Sequence, residues 1–217
     1  MKRALIFANG EIQDGPMVRQ AFASAPNPIV IAADGGARIA LSFDFRIHTV
    51  IGDFDSLSPQ EINALVAEGV AFQHHPPEKD FTDLELALYY ASDIGVNWIR
   101  IVGGTGGRLD QTLANVYLLA MPILANRDVR MVAGKQEIRL LYPGEHKVTG
   151  VRGDTLSLIP LDQTVAGITT EDLLYPLMDE ALIFGTSRGI SNVLEGDAAR
   201  ITFQEGLLLL VHTIGRV

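Results

Sequence analysis

"VIGDFDSLSPQE", residues 50–61, joins the end of an apolar run to the start of a helix and sets Asp53 and Asp55 two positions apart in the connection. Ser58-Pro59-Gln60-Glu61 has a Ser at the N-cap, a Pro at the first helical position and a Glu three residues after the Ser, the pattern of a capping box. The stretch is therefore strand, loop and capped helix in succession. The same unit recurs through the first half of the chain, where apolar runs at residues 4–8, 29–33, 49–51, 70–73, 98–102 and 129–132 alternate with helical stretches. Such alternation predicts an α/β domain with a mostly parallel, doubly wound sheet, and ligands bound outside the carboxyl ends of its strands. Past residue 135 glycines punctuate short β-type runs such as 155–159 and 207–211. That spacing predicts an all-β sandwich or barrel, with the domain boundary near Gly134, giving domains at 1–134 and 135–217.

Whole-chain properties narrow the chemistry. The 217 residues are 47% apolar and 20% charged, ordinary for a folded chain. With 26 acidic against 17 basic residues the net charge is −9, so a duplex nucleic acid, which needs a basic face, is not an expected partner. The absence of cysteine removes disulfides, thiolate nucleophiles and thiolate metal sites. The first apolar run turns polar at Asn9, too short for a signal peptide core or a membrane span. No membrane partner and a cytoplasmic location are expected.

Four strand-to-helix loops carry the candidate chemistry. Asp53 and Asp55 sit in one, where an isolated D-x-D is as readily explained by turn hydrogen bonds as by ligand binding. The connection PPEKDFTDLELALYYA, residues 76–91, contains a second capping pattern, Thr82-Asp83-Leu84-Glu85. Asp83 there also favours the helix dipole, a structural role that competes with a catalytic one. Lys79 and Asp80 precede the cap, and a lysine among several carboxylates suits a site for both metal ions and phosphate oxygens. The loop in IVGGTGGRLDQTLANVYLLA, residues 101–120, has four glycines around Thr105, then Arg108 and Asp110 at the helix entrance. It fits neither the P-loop nor the dinucleotide fingerprint, but a glycine-flanked arginine at a strand end can clamp phosphate through its planar fork. The fourth loop holds Asp34, an N-cap candidate, followed by Gly35 and Gly36. His74 and His75 are adjacent, not spaced as zinc ligands on one helix face, and read as a solvated strand end.

ADGGA at 33–37, GDFDS at 52–56, KDFTD at 79–83 and GGRLD at 106–110, in this order and at βα loops, resemble the thiamine pyrophosphokinase family. The second half extends the likeness: Leu174-Tyr175-Pro176-Leu177, and the stretch from Gly185 to Ser191-Asn192, resemble the family's substrate-pocket motifs. The resemblance implies transfer of the pyrophosphoryl group of ATP to thiamine, giving thiamine diphosphate and AMP, with Mg²⁺ as cofactor and a homodimer whose sites are shared between subunits. It further implies metal ligation by Asp53, Asp55, Asp83 and Asp80. Lys79 and Arg108, with Gly35, Thr82 and Gly104, would contact ATP and its phosphates, and Asp34 would help position ATP or a hydrated metal. Asp110 would orient Arg108 or align the nucleophile, and Tyr175, Ser191 and Asn192 would contact thiamine. The sequence departs from the family pattern at Gln111, where relatives have histidine, and at Asp172-Leu173-Leu174, where relatives carry a cation. Two other classes therefore remain open: a Mg²⁺-dependent pyrophosphokinase or nucleotide hydrolase for another small substrate, and a non-catalytic nucleotide- or thiamine-binding protein.

Overall fold

The apolar runs of the first half become six parallel strands. They are β1 (Arg3–Phe7), β2 (Ile29–Ala33), β3 (Thr49–Gly52), β4 (Ala71–His74), β5 (Trp98–Val102) and β6 (Asp128–Ala133), within a computed structural model that describes residues 1–216. Backbone pairing orders them β6-β5-β1-β2-β3-β4. Every residue of β3 and β5 is buried, as a parallel sheet covered on both faces requires. The covering helices are α1 (Pro16–Ala23), α2 (Gly36–Ser42), α3 (Pro59–Ala67), α4 (Asp83–Asp93) and α5 (Leu109–Leu118). Leu5, Phe7, Val50 and Trp98 belong to a core packed against Phe22, Phe45, Phe54 and Phe72.

Local chemistry sets the helix starts. Ser58 caps α3 in a complete capping box: its side chain accepts from the Glu61 N–H, and the Glu61 carboxylate accepts from the Ser58 N–H. Thr82 caps α4 by accepting from the Glu85 N–H at 3.2 Å, the first half of the second box. The expected cap at Asp34 does not form. Asp34 lies one residue before the N-cap of α2 in a left-handed conformation, φ 45°, and Gly35 is that N-cap, with no side-chain hydrogen bond.

Residues from Lys135 onward form a second compact unit. Its strands are β7 (Gln136–Leu141), β8 (Gly144–Thr149), β9 (Thr155–Pro160), β10 (Thr164–Glu171), β11 (Glu180–Ile183), β12 (Asn192–Val193), β13 (Ala198–Phe203) and β14 (Leu208–Thr213). They pair antiparallel as β12-β9-β14-β7 and β11-β10-β13-β8. Leu156, Leu158, Leu208 and Leu210 from the first set meet Val148, Ile168, Ile201 and Phe203 from the second in one core, the packing of a β-sandwich. Near its chain end, Asp154 accepts from the Val151 N–H, the Gly215 N–H and His212 Nε2, the last pair almost fully buried at 2.9 Å.

No helix among the described residues is long and apolar enough to cross a membrane.

Candidate functional site

Strand β1 is the point where the order of the parallel sheet reverses, with β2 on one side and β5 on the other. Ligand crevices of doubly wound sheets open at the carboxyl ends of such strands. Here the loops after β1 and β5 run side by side: the Gly10 N–H donates to the Gly103 carbonyl at 2.8 Å, and the Glu11 N–H to the Thr105 carbonyl at 2.9 Å. A Cβ on Gly10 would collide with both of those carbonyl oxygens, so this approach of main chain to main chain needs glycine. Above it lies a cavity of about 660 Å³, lined among others by Asn9, Asp34, Lys79, Asp83, Gly104, Arg108 and Gln111. That volume suits a nucleotide-sized ligand. The glycine loop is held from behind, because Asn115, buried on α5, donates to the Gly104 carbonyl at 2.8 Å and Thr112 Oγ1 accepts from the Gly106 N–H at 3.2 Å.

Three acids converge beside the cavity. Asp34 after β2, Asp53 after β3 and Asp83 in the first turn of α4 each bring a carboxylate oxygen within 4.8 Å of the other two. Gly52 makes the room, since a Cβ there would lie 3.0 Å from the Asp83 carboxyl and 3.1 Å from Asp34 Cβ. Asp34 is 5% exposed, and its Oδ1 is buried with no hydrogen-bond partner. Lys79 reaches into the cluster, with Nζ 3.0 Å from Asp83 Oδ1 and 3.9 Å from Asp53 Oδ2. Burial pushes the Asp83 carboxyl above its ordinary pKa against the pull of Lys79, and the charges of Asp53 and Asp34 add to the rise. Three carboxylates brought together from two loops and a helix start, with the Asp34 Oδ1 buried and without a donor, are an all-oxygen set that fits a hard divalent cation.

Of the acids read from the sequence as metal ligands, Asp53 and Asp83 are in this cluster. Asp55 and Asp80 are exposed and outside it, and Asp34, read as positioning ATP or a hydrated metal, is inside. Phe54 explains the division within D-F-D. It adopts φ 65°, in the left-handed region, with its ring edge-on to Phe72 at 5.2 Å and to His74 at 5.6 Å. A left-handed residue breaks the alternation that would otherwise keep residues two apart on the same side. Asp53 turns inward, and Asp55 is left bonded to the Ser56 hydroxyl at 3.2 Å. The loop's far end is fixed by Arg38, which forks onto Glu61 of the capping box; Arg38 and Ser58 together hold that carboxyl well below the usual range.

Arg108 is the N-cap of α5, with its guanidinium paired to Asp110 at 2.6 Å and largely exposed at the cavity rim. The pairing holds the Asp110 carboxyl below its ordinary value. Gly35 and Thr82 cap α2 and α4 beside the acids. In the second unit, Asn192 spends its amide on Tyr175: Oδ1 accepts from the Tyr175 N–H at 2.9 Å and Nδ2 donates to the Tyr175 carbonyl at 2.7 Å. The Tyr175 side chain is left exposed, and Ser191, next to Asn192 in the chain, is left-handed at φ 57°. Asn9, Glu11 and Asn115 were not singled out by sequence reading. Asn9 and Glu11 follow the first strand directly, a position that flags them once the strand order is known. Asn115 lies inside a helix and carries no local signal.

Comparisons with known proteins identify the family. Residues 22–133 match the family described as thiamin pyrophosphokinase, catalytic domain, and residues 144–208 match thiamin pyrophosphokinase, vitamin B1 binding domain. The chain is 31% identical over 184 residues to a thiamine pyrophosphokinase of Bacillus subtilis, covering 84% of this chain and 86% of that one. The crystal structure of thiamine pyrophosphokinase from Bacillus subtilis superposes with a TM-score of 0.87 at 28% identity, covering 98% of this chain and 99% of the other. A thiamin pyrophosphokinase family protein from Enterococcus faecalis gives 0.86 at 28% identity with the same coverage. With one family model spanning more than half of its length and a relative above 30% identity across most of it, the chain belongs to the thiamine pyrophosphokinase family.

Proposed function

We propose that this protein is a thiamine pyrophosphokinase, which transfers the terminal pyrophosphoryl group of ATP to the hydroxyl of thiamine. In that reaction the thiamine oxygen bonds to the β-phosphorus as the bond from that phosphorus to the α–β bridging oxygen breaks. AMP leaves, and the hydroxyl proton passes to solvent. The observation that carries the reading, within this family, is the Asp34, Asp53 and Asp83 cluster with Lys79 at the edge of a nucleotide-sized cavity.

Each group then has a task. Asp34, Asp53 and Asp83 would hold Mg²⁺, which when bound supplies positive charge against the oxygens of the transferring group. Asp55 and Asp80, exposed nearby, are left to contacts through water. Lys79 and Arg108 would bind phosphate oxygens, with Asp110 setting the Arg108 fork. The glycine loop, held by Asn115 and Thr112, lines the cavity without side chains in the way. No general base is needed for a transfer governed by alignment and charge, so Gln111 in place of the family's histidine does not remove an essential proton acceptor. In the second unit Tyr175 offers an exposed aromatic face for a cationic heteroaromatic, and Asn192 acts by fixing Tyr175. The protein acts as a homodimer in this reading, supported by exposed apolar side chains at Tyr175, Met178 and Phe184 of the second unit.

The test is incubation with ATP, MgCl₂ and thiamine, omission controls for each, and separation of products by anion exchange. Thiamine diphosphate appearing one for one with AMP is the expected result. AMP or ADP without a thiamine product would reject the reading in favour of another acceptor or nucleotide hydrolysis, and binding without turnover would favour a non-catalytic protein. A monomeric mass in solution would reject the homodimer.

A further inference from the structure

Lys79 stands apart from the other cation of the site. Its side chain is 13% exposed and its ammonium lies among the carboxylates, whereas the Arg108 side chain is 72% exposed at the rim and paired to a single acid. An ammonium is a compact charge with three donors on a flexible stem, and here it sits where the carboxylates most need a cation. Asp34 Oδ1, nine-tenths buried and without a donor, shows that this cation does not satisfy the cluster completely. Three carboxylates and one ammonium leave the cluster with two uncompensated negative charges.

We propose that Lys79 is a resident counter-ion of the Asp34, Asp53 and Asp83 cluster, competing with the divalent cation in the nucleotide-free protein and moving to the nucleotide's phosphates when metal and nucleotide arrive together. The inference rests on the reading that this cluster holds the metal. A divalent cation entering alone either meets the Lys79 charge a few ångströms away or drives the ammonium out towards solvent, and both lower its affinity. A nucleotide entering with the metal gives the displaced ammonium an anionic partner at the cavity, so the two ligands assist one another. That assistance is a coupling free energy and acts equally in both directions. The charge of the acid-rich site is thereby offset in part, and the site is made selective for the metal–nucleotide pair over free metal.

The test measures MnCl₂ binding to the full-length protein without nucleotide, by titration calorimetry and by the electron paramagnetic resonance signal of free Mn²⁺. K79M and K79A both remove the charge, while K79R keeps it; circular dichroism checks that each is folded. The expected result is that K79M and K79A bind Mn²⁺ about tenfold more tightly than wild type or more, as loss of one nearby like charge in a partly screened site implies, with K79R close to wild type. Adding a non-hydrolysable ATP analogue should tighten Mn²⁺ binding in wild type and do so much less in K79M. Equal or weaker Mn²⁺ binding by the truncated variants, including no binding by any variant, overturns the inference, as does an undiminished effect of the analogue in K79M. Turnover of thiamine by wild type is scored separately. Its failure would reject the proposed reaction while tighter Mn²⁺ binding by K79M would leave the counter-ion role standing, and the converse pair of results would do the opposite.

Discussion

Replacing Asp34 with asparagine should weaken the enzyme and strengthen the fold in the same step. Asp34 is 5% exposed, has a buried oxygen without a donor, and shares the cluster with two further carboxylates. The ammonium of Lys79 pairs with those two. Asparagine has the same shape and tolerates the left-handed backbone found at this position, φ 45°. The substitution therefore removes charge with little change in packing. Leaving a buried polar group unsatisfied costs about 1–3 kcal/mol, and more when it is charged. Relief of the charged part of that cost should raise the stability of the metal-free protein by about 1 kcal/mol, or about 2–4 °C in Tm for a chain of this size. The same change removes one unit charge facing the metal. At an effective dielectric near 20 and about 4 Å, that is on the order of 4 kcal/mol before water compensates, so activity should fall by about two to three orders of magnitude. The assay is thermal unfolding in EDTA and in saturating MgCl₂, alongside turnover. Wild type should gain Tm from the metal by mass action, and the variant much less. A variant that is less stable than wild type in EDTA and retains near-normal turnover would refute the assignment of Asp34 to a strained metal cluster.

Asp55→Asn and Asp80→Asn should each reduce turnover far less than Asp53→Asn, because their carboxylates lie outside the cluster; equal losses in all three variants would count against it. Asn115→Ala strips the donor from the Gly104 carbonyl and should cost about 1–3 kcal/mol in denaturant unfolding, with a larger rise in KM for ATP than in KM for thiamine; equal rises would mean that the glycine loop is not a nucleotide wall. Asp154 has a lowered pKa, since the backbone N–H groups of Gly215 and Val151 and the His212 ring outweigh the opposing effect of burial. Its folded value lies below the unfolded value of about 3.9, so it contributes stability above that pH which is lost as pH falls through the folded value. Asp83, raised by burial, has the opposite sign: the folded protein binds its proton more tightly, so this group favours folding as pH falls through the window above its ordinary value. Acid titration followed by hydrogen exchange should therefore open the second unit first, and Asp154→Asn should flatten its acid limb; an unchanged limb would show that the pair does not set it.

The parallel sheet was legible because a strand buried on both faces is written as a continuous apolar run. Residues 29–33 and 98–102 coincide with β2 and β5, and the other four runs differ from their strands by one residue at one or both ends. The cap at Ser58 was equally legible, since both partners lie within four residues. Asp34 was misread as a helix cap because the D-G-G pattern suits one. Its backbone is left-handed and its side chain joins the acids instead. The pairing of Asp53 with Asp55 went astray for a similar reason, as the twist at Phe54 is imposed by ring contacts with Phe72 and His74 on another strand. Asn192 could be found in sequence but not interpreted, because its role is visible only when Tyr175 lies across from it. What was lost in each case is a backbone angle or a partner decided by distant parts of the chain.

The crossing of the β1 and β5 loops at Gly10 and Gly103 has a bearing on how this protein can change over time. A wall made of main chain presents the same carbonyl and amide groups whatever residues flank it, so point substitutions have few handles on the shape of the cavity there. Glycine is locked in at the crossing, and drift in neighbouring side chains is silent to the ligand. Reshaping the cavity at this wall would take a loop that is lengthened, shortened or displaced. Insertions and deletions after β1 and β5, more than exchanges of side chain, are the place to look for such divergence.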